Sequence, residues 1–224
     1  MVPPLVLDID GTMTRPDDSV DPRFFDALPA WDAPVVLATG KSFPYPVSLC
    51  HFMAIPYNVI AENGGVVLSG EAVTTNGDGE AARRVAEEYV AAGYDLGWGP
   101  TDLTNRWRET EIAVARNRPL GPLEELAAEH GLEVVDTGFA YHVKSPSIEK
   151  GVGLDSIAPL LGHEPEAFVA IGDSENDVST FGVAGESYAV ANADDKAKDA
   201  ADVVLEESYS EATLGVLNDL RNRG

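Results

Sequence analysis

Leu5-Val6-Leu7-Asp8-Ile9-Asp10-Gly11-Thr12 is an apolar run that stops at two carboxylates spaced i and i+2, with Gly11 supplying the turn that ends it. Side chains two apart on a strand share a face, so Asp8 and Asp10 converge where the extended geometry persists. Two anions so placed repel each other, and a cation between them relieves the repulsion. The same residues also fit a strand end followed by an ordinary Asp-Gly turn. Near the other end, Ala167-Phe168-Val169-Ala170-Ile171 is a second apolar run, closed by Gly172-Asp173-Ser174-Glu175-Asn176-Asp177. Here a carboxylate ends the strand and another follows four residues on, at the opening of a helix; an Asp or Ser N-cap is the plainer alternative. Jointly the two segments set four aspartates at the carboxyl ends of two strands, the edge where open α/β sheets bind ligands. Carboxylate oxygens with room for water and phosphate suit Mg²⁺.

Between these segments the first 75 residues alternate strand and helix patterns: Leu5–Ile9, a helix near Pro22–Leu28, Val35–Ala38, a helix near Pro46–Met53, then Asn58–Ala61. That alternation predicts a doubly wound parallel sheet. Val66–Leu68 and Val73–Thr75 form a candidate hairpin leading out of the core, and Asn76-Gly77-Asp78-Gly79 is the best linker. Residues from about 80 to 148 read as α, β, α, β, β, an α+β insert. The core resumes with a helix from Gly151, the Phe168–Ile171 strand, a helix from Glu175, short strands at Tyr188–Val190 and Val203–Leu205, and a closing helix at Glu211–Leu220. The expected organisation is an α/β core over 1–78 and 149–224, Rossmann-like, with a small α+β domain over 79–148.

Composition bounds the function. The 224 residues carry 38 acidic and 15 basic side chains, a net charge of −23, on an otherwise ordinary 44% hydrophobic background. This excludes a nucleic-acid partner held by phosphate neutralisation and an anionic membrane partner. The acids are spread along the chain rather than gathered in a tail, as in a surface adapted to molar salt. Cys50 is alone, so neither a disulfide framework nor a thiolate metal cluster is expected. The four histidines lack ligand spacing and read as surface or packing residues. No apolar run is long enough to span a bilayer and residues 1–8 lack a signal-peptide pattern, so a cytoplasmic protein is expected.

Asp8-Ile9-Asp10-Gly11-Thr12, Thr39-Gly40 after Val35–Ala38, Lys150-Gly151 and Gly172-Asp173-Ser174-Glu175-Asn176-Asp177 come in an order that resembles the four motifs of the haloacid dehalogenase (HAD) superfamily. The resemblance spans the whole chain. Only about 25 residues separate the first motif from Thr39, whereas more than a hundred separate Thr39 from Lys150. An insert between the second and third motifs is similar to the Cof-like branch, as are Glu62-Asn63-Gly64-Gly65 and Val190-Ala191-Asn192-Ala193. The small cap and total length are most similar to archaeal phosphoglycolate phosphatases.

The resemblance implies a phosphomonoester hydrolase whose nucleophile is Asp8 and whose general acid and base is Asp10. It implies Mg²⁺ on the Asp8 carboxylate, the Asp10 carbonyl, Asp173 and Asp177, the last directly or through water. Thr39, Gly40, Lys150 and Asn176 would bind phosphate. Lys41 departs from the Arg that many Cof-like proteins carry after Thr-Gly, keeping a point charge but no bidentate fork. Asn63 fits either a ligand contact or a turn. Arg106, Arg108, Arg116 and Arg118 are candidate readers of a substrate carboxylate or solvated ion-pair partners. Trp98, Trp107, Phe139 and Tyr141 read as cap core. The implied substrate is a small phosphorylated metabolite, 2-phosphoglycolate first and a sugar phosphate second, for a monomer or homodimer. A receiver-like phosphoacceptor module is the distant alternative, and it needs neither Asp10 nor a cap.

Overall fold

The computed structural model describes residues 2–223. β1 (Leu5–Asp8), α1 (Phe24–Ala27), β2 (Val35–Ala38), α2 (Pro44–Met53) and β3 (Asn58–Ala61) follow in order, and each strand is buried at every position. A strand covered on both faces has no solvent side to alternate toward, which is why these segments read as unbroken apolar runs. β4 (Val66–Ser69) and β5 (Ala72–Thr75) come next. The hairpin expected to lead out of the core instead extends it. The Glu62–Gly64 turn reverses the chain, so β4 lies antiparallel on β3 with Ala61 opposite Val66, and β5 becomes an exposed edge.

A second unit follows: α3 (Gly79–Ala91), β6 (Ile112–Ala115), α4 (Leu120–Glu129), β7 (Glu133–Asp136) and β8 (Ala140–Lys144). Asp78 caps α3 by accepting from the Ala81 amide at 2.8 Å, and Ala81, Ala82, Val85, Ala86 and Tyr89 form its buried stripe. The three strands make an antiparallel sheet in the order β6-β8-β7. Ile112, Val114, Val143 and Val134 pack with the two helices in a core separate from the first. Alternation therefore puts Ala113, His142 and Lys144 on the opposite face.

The chain returns with α5 (Lys150–Ile157), β9 (Val169–Gly172), α6 (Val178–Val183), β10 (Glu186–Ala189), α7 (Asp195–Ala200), β11 (Val203–Val204) and α8 (Tyr209–Arg223). The large sheet runs β11-β10-β9-β1-β2-β3-β4-β5, parallel from β11 through β3. From β1 the chain moves outward one way through β2 and β3, and after the insert it returns to the other flank at β9. With right-handed crossovers this reversal places helices on both faces, a doubly wound α/β fold whose switch point lies between β1 and β9. Asp8 ends β1 and Asp173 directly follows β9, so the two meet at the switch point. No helix among the described residues is long and apolar enough to cross a membrane.

Candidate active site

Lys150 opens α5 with a side chain wholly withdrawn from solvent, and its ammonium is shared among three acceptors. Nζ donates to Asp8 Oδ1 at 2.6 Å, Asp177 Oδ1 at 2.7 Å and Asn176 Oδ1 at 2.9 Å. Asp177 Oδ2 accepts the Asp173 and Ser174 amides at 3.0 and 3.2 Å, closing the turn after β9 with the Ser174 capping box. Asp8 Oδ2 is buried and has no partner. Burial raises the Asp8 carboxyl well above the ordinary carboxylate range against the pull of Lys150, with Asp177 and Asp173 adding repulsion. Asp173 is pushed up to about 7, again by burial first and Asp177 second. Asp8, Asp173 and Asp177 each offer an oxygen, all within 4.8 Å of one another. Three carboxylates against one ammonium leave two negative charges uncompensated. An orphaned buried oxygen, an all-oxygen donor set and a deficit of two together fit a hard divalent cation.

Asp10, about half exposed, accepts from Lys41 Nζ at 2.8 Å. Gly11 between them and β9 has φ +79°, and a Cβ there would lie 2.0 Å from Asp173 Oδ2; only glycine lets the turn pass this close to that carboxylate. Thr39 is buried at the end of β2, its Oγ1 accepting the Lys41 amide at 3.0 Å. The predicted residues Asp8, Asp10, Thr39, Gly40, Asp173 and Asn176 all line one cavity of about 570 Å³, roofed by Arg108, Phe139 and His142. Lys150 lies beneath it. A larger cleft of about 810 Å³ opens behind Asn63, His142 and Asn176 toward Glu133 and Lys144, and reaches none of Asp8, Asp10 or Asp173.

The roof is where the sequence reading fell short. Of the four candidate arginines only Arg108 lines the cavity. Arg116 and Arg118 pair with Asp136 and Asp95, and Arg106 lies over Trp107, 6.0 Å from its ring centroid. Trp98, Trp107 and Phe139 are not cap core. Trp107 and Phe139 are exposed, and Trp98 stacks on Phe139 at 5.5 Å outside the packed cluster. The helices already fill the apolar face of the small sheet, which leaves these rings on its rim. His142, read as a packing residue, bonds through Nδ1 to Glu111 Oε1 at 2.8 Å; Glu111 also accepts Arg108 Nη1 on that oxygen and Asn63 Nδ2 on Oε2 at 3.2 Å. Burial alone would raise the Glu111 carboxyl, but His142 and Arg108 outweigh it and hold it at about 2. Asn63 in turn accepts from Asn176 at 3.1 Å, so a continuous hydrogen-bonded chain joins Lys150 to the roof. Glu62, also missed, is fully buried and takes the Glu109 amide at 3.0 Å and the Thr110 amide and hydroxyl at 2.8 Å. The alternation in Tyr141-His142-Val143-Lys144, with Val143 and Tyr141 toward the helices, was the available signal for His142.

The haloacid dehalogenase-like hydrolase profile matches residues 5–87 and 124–217. The chain is 59% identical to a phosphoglycolate phosphatase of Natronomonas pharaonis, over 99% of both chains, and 58% identical to one of Halorubrum lacusprofundi, over 100% of this chain and 99% of that one. A Thermoplasma acidophilum crystal structure superposes with a TM-score of 0.82 at 22% identity, covering 99% of both chains. A haloacid dehalogenase-like hydrolase from Bacteroides thetaiotaomicron does so at 0.77 and 17%, covering all of both; these two likenesses concern the fold. The chain belongs to the haloacid dehalogenase-like hydrolases.

Proposed function

We propose that the protein is a Mg²⁺-dependent phosphatase that converts 2-phosphoglycolate to glycolate and inorganic phosphate through a phosphorylated Asp8. The observation that carries this reading is the buried, unpartnered Oδ2 of Asp8 at the switch point, held beside Lys150 and lining the cavity. The names of its near relatives supply the substrate. Asp8 attacks phosphorus while the leaving alkoxide takes a proton from Asp10. Asp10 then removes a proton from water, which attacks the phosphoaspartate and releases phosphate, restoring Asp8. Thr39 donates its hydroxyl to the phosphate, Gly40 lets the backbone approach it, and Lys150 and Asn176 fix the nucleophile and the phosphate opposite them.

Asp8, Asp173 and the Asp10 carbonyl are the residues we assign to Mg²⁺. Both oxygens of Asp177 are engaged by Lys150 and two amides, which favours contact through water. Bound there, the ion supplies positive charge between an anionic nucleophile and an anionic phosphate. Residues 79–148 act as the cap that covers a small phosphorylated metabolite, in the cytoplasm. The test is phosphate release from 2-phosphoglycolate, glycerol phosphate and hexose phosphates in molar KCl, with MgCl₂ or EDTA. We expect 2-phosphoglycolate to lead in kcat/KM by about tenfold or more, equivalent to about 1.4 kcal/mol, and EDTA to abolish turnover. Equal or better turnover of hexose phosphates overturns the substrate, and full activity in EDTA overturns the metal.

A further inference from the structure

Glu111 is buried and engaged through both oxygens: Oε1 accepts Arg108 and His142, and Oε2 accepts Asn63. A carboxylate held this way is a mount for its partners. Arg108 is fixed further by donating Nε to the Thr104 carbonyl and Nη1 to the Gly40 carbonyl, each at 3.1 Å. Its Nη2 makes no hydrogen bond among the described residues, and neither does Nε2 of His142. Both side chains are only 3% exposed, yet both line the cavity. Neither nitrogen is sealed inside the protein, so what little exposure the two side chains keep is turned to the cavity, where a ligand can bring them an acceptor.

Which acceptor follows from position. Arg108 bonds the carbonyl of Gly40, the neighbour of Thr39, so its free nitrogen lies beside the phosphate loop. A substrate with two carbons cannot carry its second charged group farther than that. Lys41, the other cation lining the cavity, is already engaged by Asp10. We propose that Arg108 and His142 form the subsite that reads the substrate carboxylate, His142 with both ring nitrogens protonated, Nδ1–H to Glu111 and Nε2–H to the carboxylate, and with Glu111 as the positioning residue that aims both. This rests on the phosphoglycolate reading above, and it makes specificity a property of the roof while the floor handles phosphate.

The test compares 2-phosphoglycolate with 2-hydroxyethyl phosphate, the same skeleton lacking the carboxylate, in wild type, His142→Asn, Arg108→Gln and Arg108→Lys. The wild-type ratio of kcat/KM should favour 2-phosphoglycolate. It should fall about tenfold or more in His142→Asn and Arg108→Gln, mainly through KM, and less in Arg108→Lys. A ratio kept within twofold, whether both substrates fall together or neither does, overturns the subsite. A wild type that hydrolyses 2-hydroxyethyl phosphate but not 2-phosphoglycolate overturns the substrate reading and the subsite with it. A second measurement does not depend on the variants' activity. The chain has four histidines, so the His142 ring signals are assignable by NMR. 3-Phosphonopropionate should shift them in the wild-type protein and propylphosphonate should not; equal shifts with both refute the proposal.

Discussion

Lys150 binds three oxygens from inside the protein, so its loss should destabilise the fold. Lys150→Met leaves Asp8 and Asp177 buried without their cation, and breaking a buried pair from one side costs about 3–5 kcal/mol. Asp8→Asn removes one of the competing anions instead, so the metal-free protein should keep its stability while turnover falls by several orders of magnitude. Urea melts of the two variants in molar KCl separate these effects; a Lys150→Met protein as stable as wild type contradicts the account of the floor. Asp10→Asn should lose about 10²–10⁴ in kcat, with a smaller loss for p-nitrophenyl phosphate, whose leaving group needs no proton. Equal losses on alkyl and nitrophenyl esters exclude Asp10 as the acid. The aspartates were legible in the sequence because Asp8 and Asp173 close two apolar runs and Asp10 and Asp177 follow them by two and four residues, a pairing that recurs at both strand ends. Glu62, Glu111 and His142 were not, since each is held by partners distant in sequence, Glu62 by Thr110 and Glu111 by Asn63 at 48 residues and His142 by Glu111 at 31.

The turn Glu62–Gly65 does at the level of elements what Lys150 does among side chains: it joins the two folded units. Glu62 bonds the segment entering β6, Asn63 bonds Glu111 on that segment, and Gly65 lies against Thr110 so tightly that a Cβ would fall 2.0 Å from Oγ1. Gly65→Ala should therefore push the segment away and cost about 1–3 kcal/mol, the usual range for overpacking. Unchanged thermal stability in Gly65→Ala contradicts this close packing. The same junction has an acid limit. Glu111 is held at about 2, below its ordinary 4.5, so its stabilising contribution is complete above about pH 4.5 and lost as pH falls toward 2. Glu111→Gln should flatten the acid limb of a stability–pH curve by an amount on the order of 3 kcal/mol, and a slope identical to wild type refutes it. Strand–helix alternation made the parallel strands readable. The β4–β5 hairpin was misplaced because a turn's direction depends on the left-handed backbone of Glu62 and Asn63, at φ 52° and 54°, which composition does not reveal.

At the scale of the whole molecule, the distinctive property is net charge. Eleven of the fifteen lysines and arginines are already engaged in ion pairs. Most of the 38 acidic side chains thus have no cationic partner among the described residues, and the net charge of −23 is carried by a compact body. Such self-repulsion opposes folding. Salt shortens its reach, from a Debye length of about 10 Å at 0.1 M to about 3 Å at 1 M. The melting temperature should climb steeply with KCl at pH 7, and structure should be lost below a few hundred millimolar. Salt also strengthens apolar burial in some cases, so a rise alone does not identify repulsion as the cause. The pH dependence does. Near the isoelectric point of about 4.3 the net charge vanishes while the apolar surface is unchanged. Calorimetry across a KCl series should give a steep slope at pH 7 and a shallow one at pH 4.5, where Glu111 is still ionised and the junction intact. Equal slopes at the two pH values would transfer the salt effect from charge to apolar burial. Full stability at pH 7 without salt would show that the acidic surface is not under strain at all.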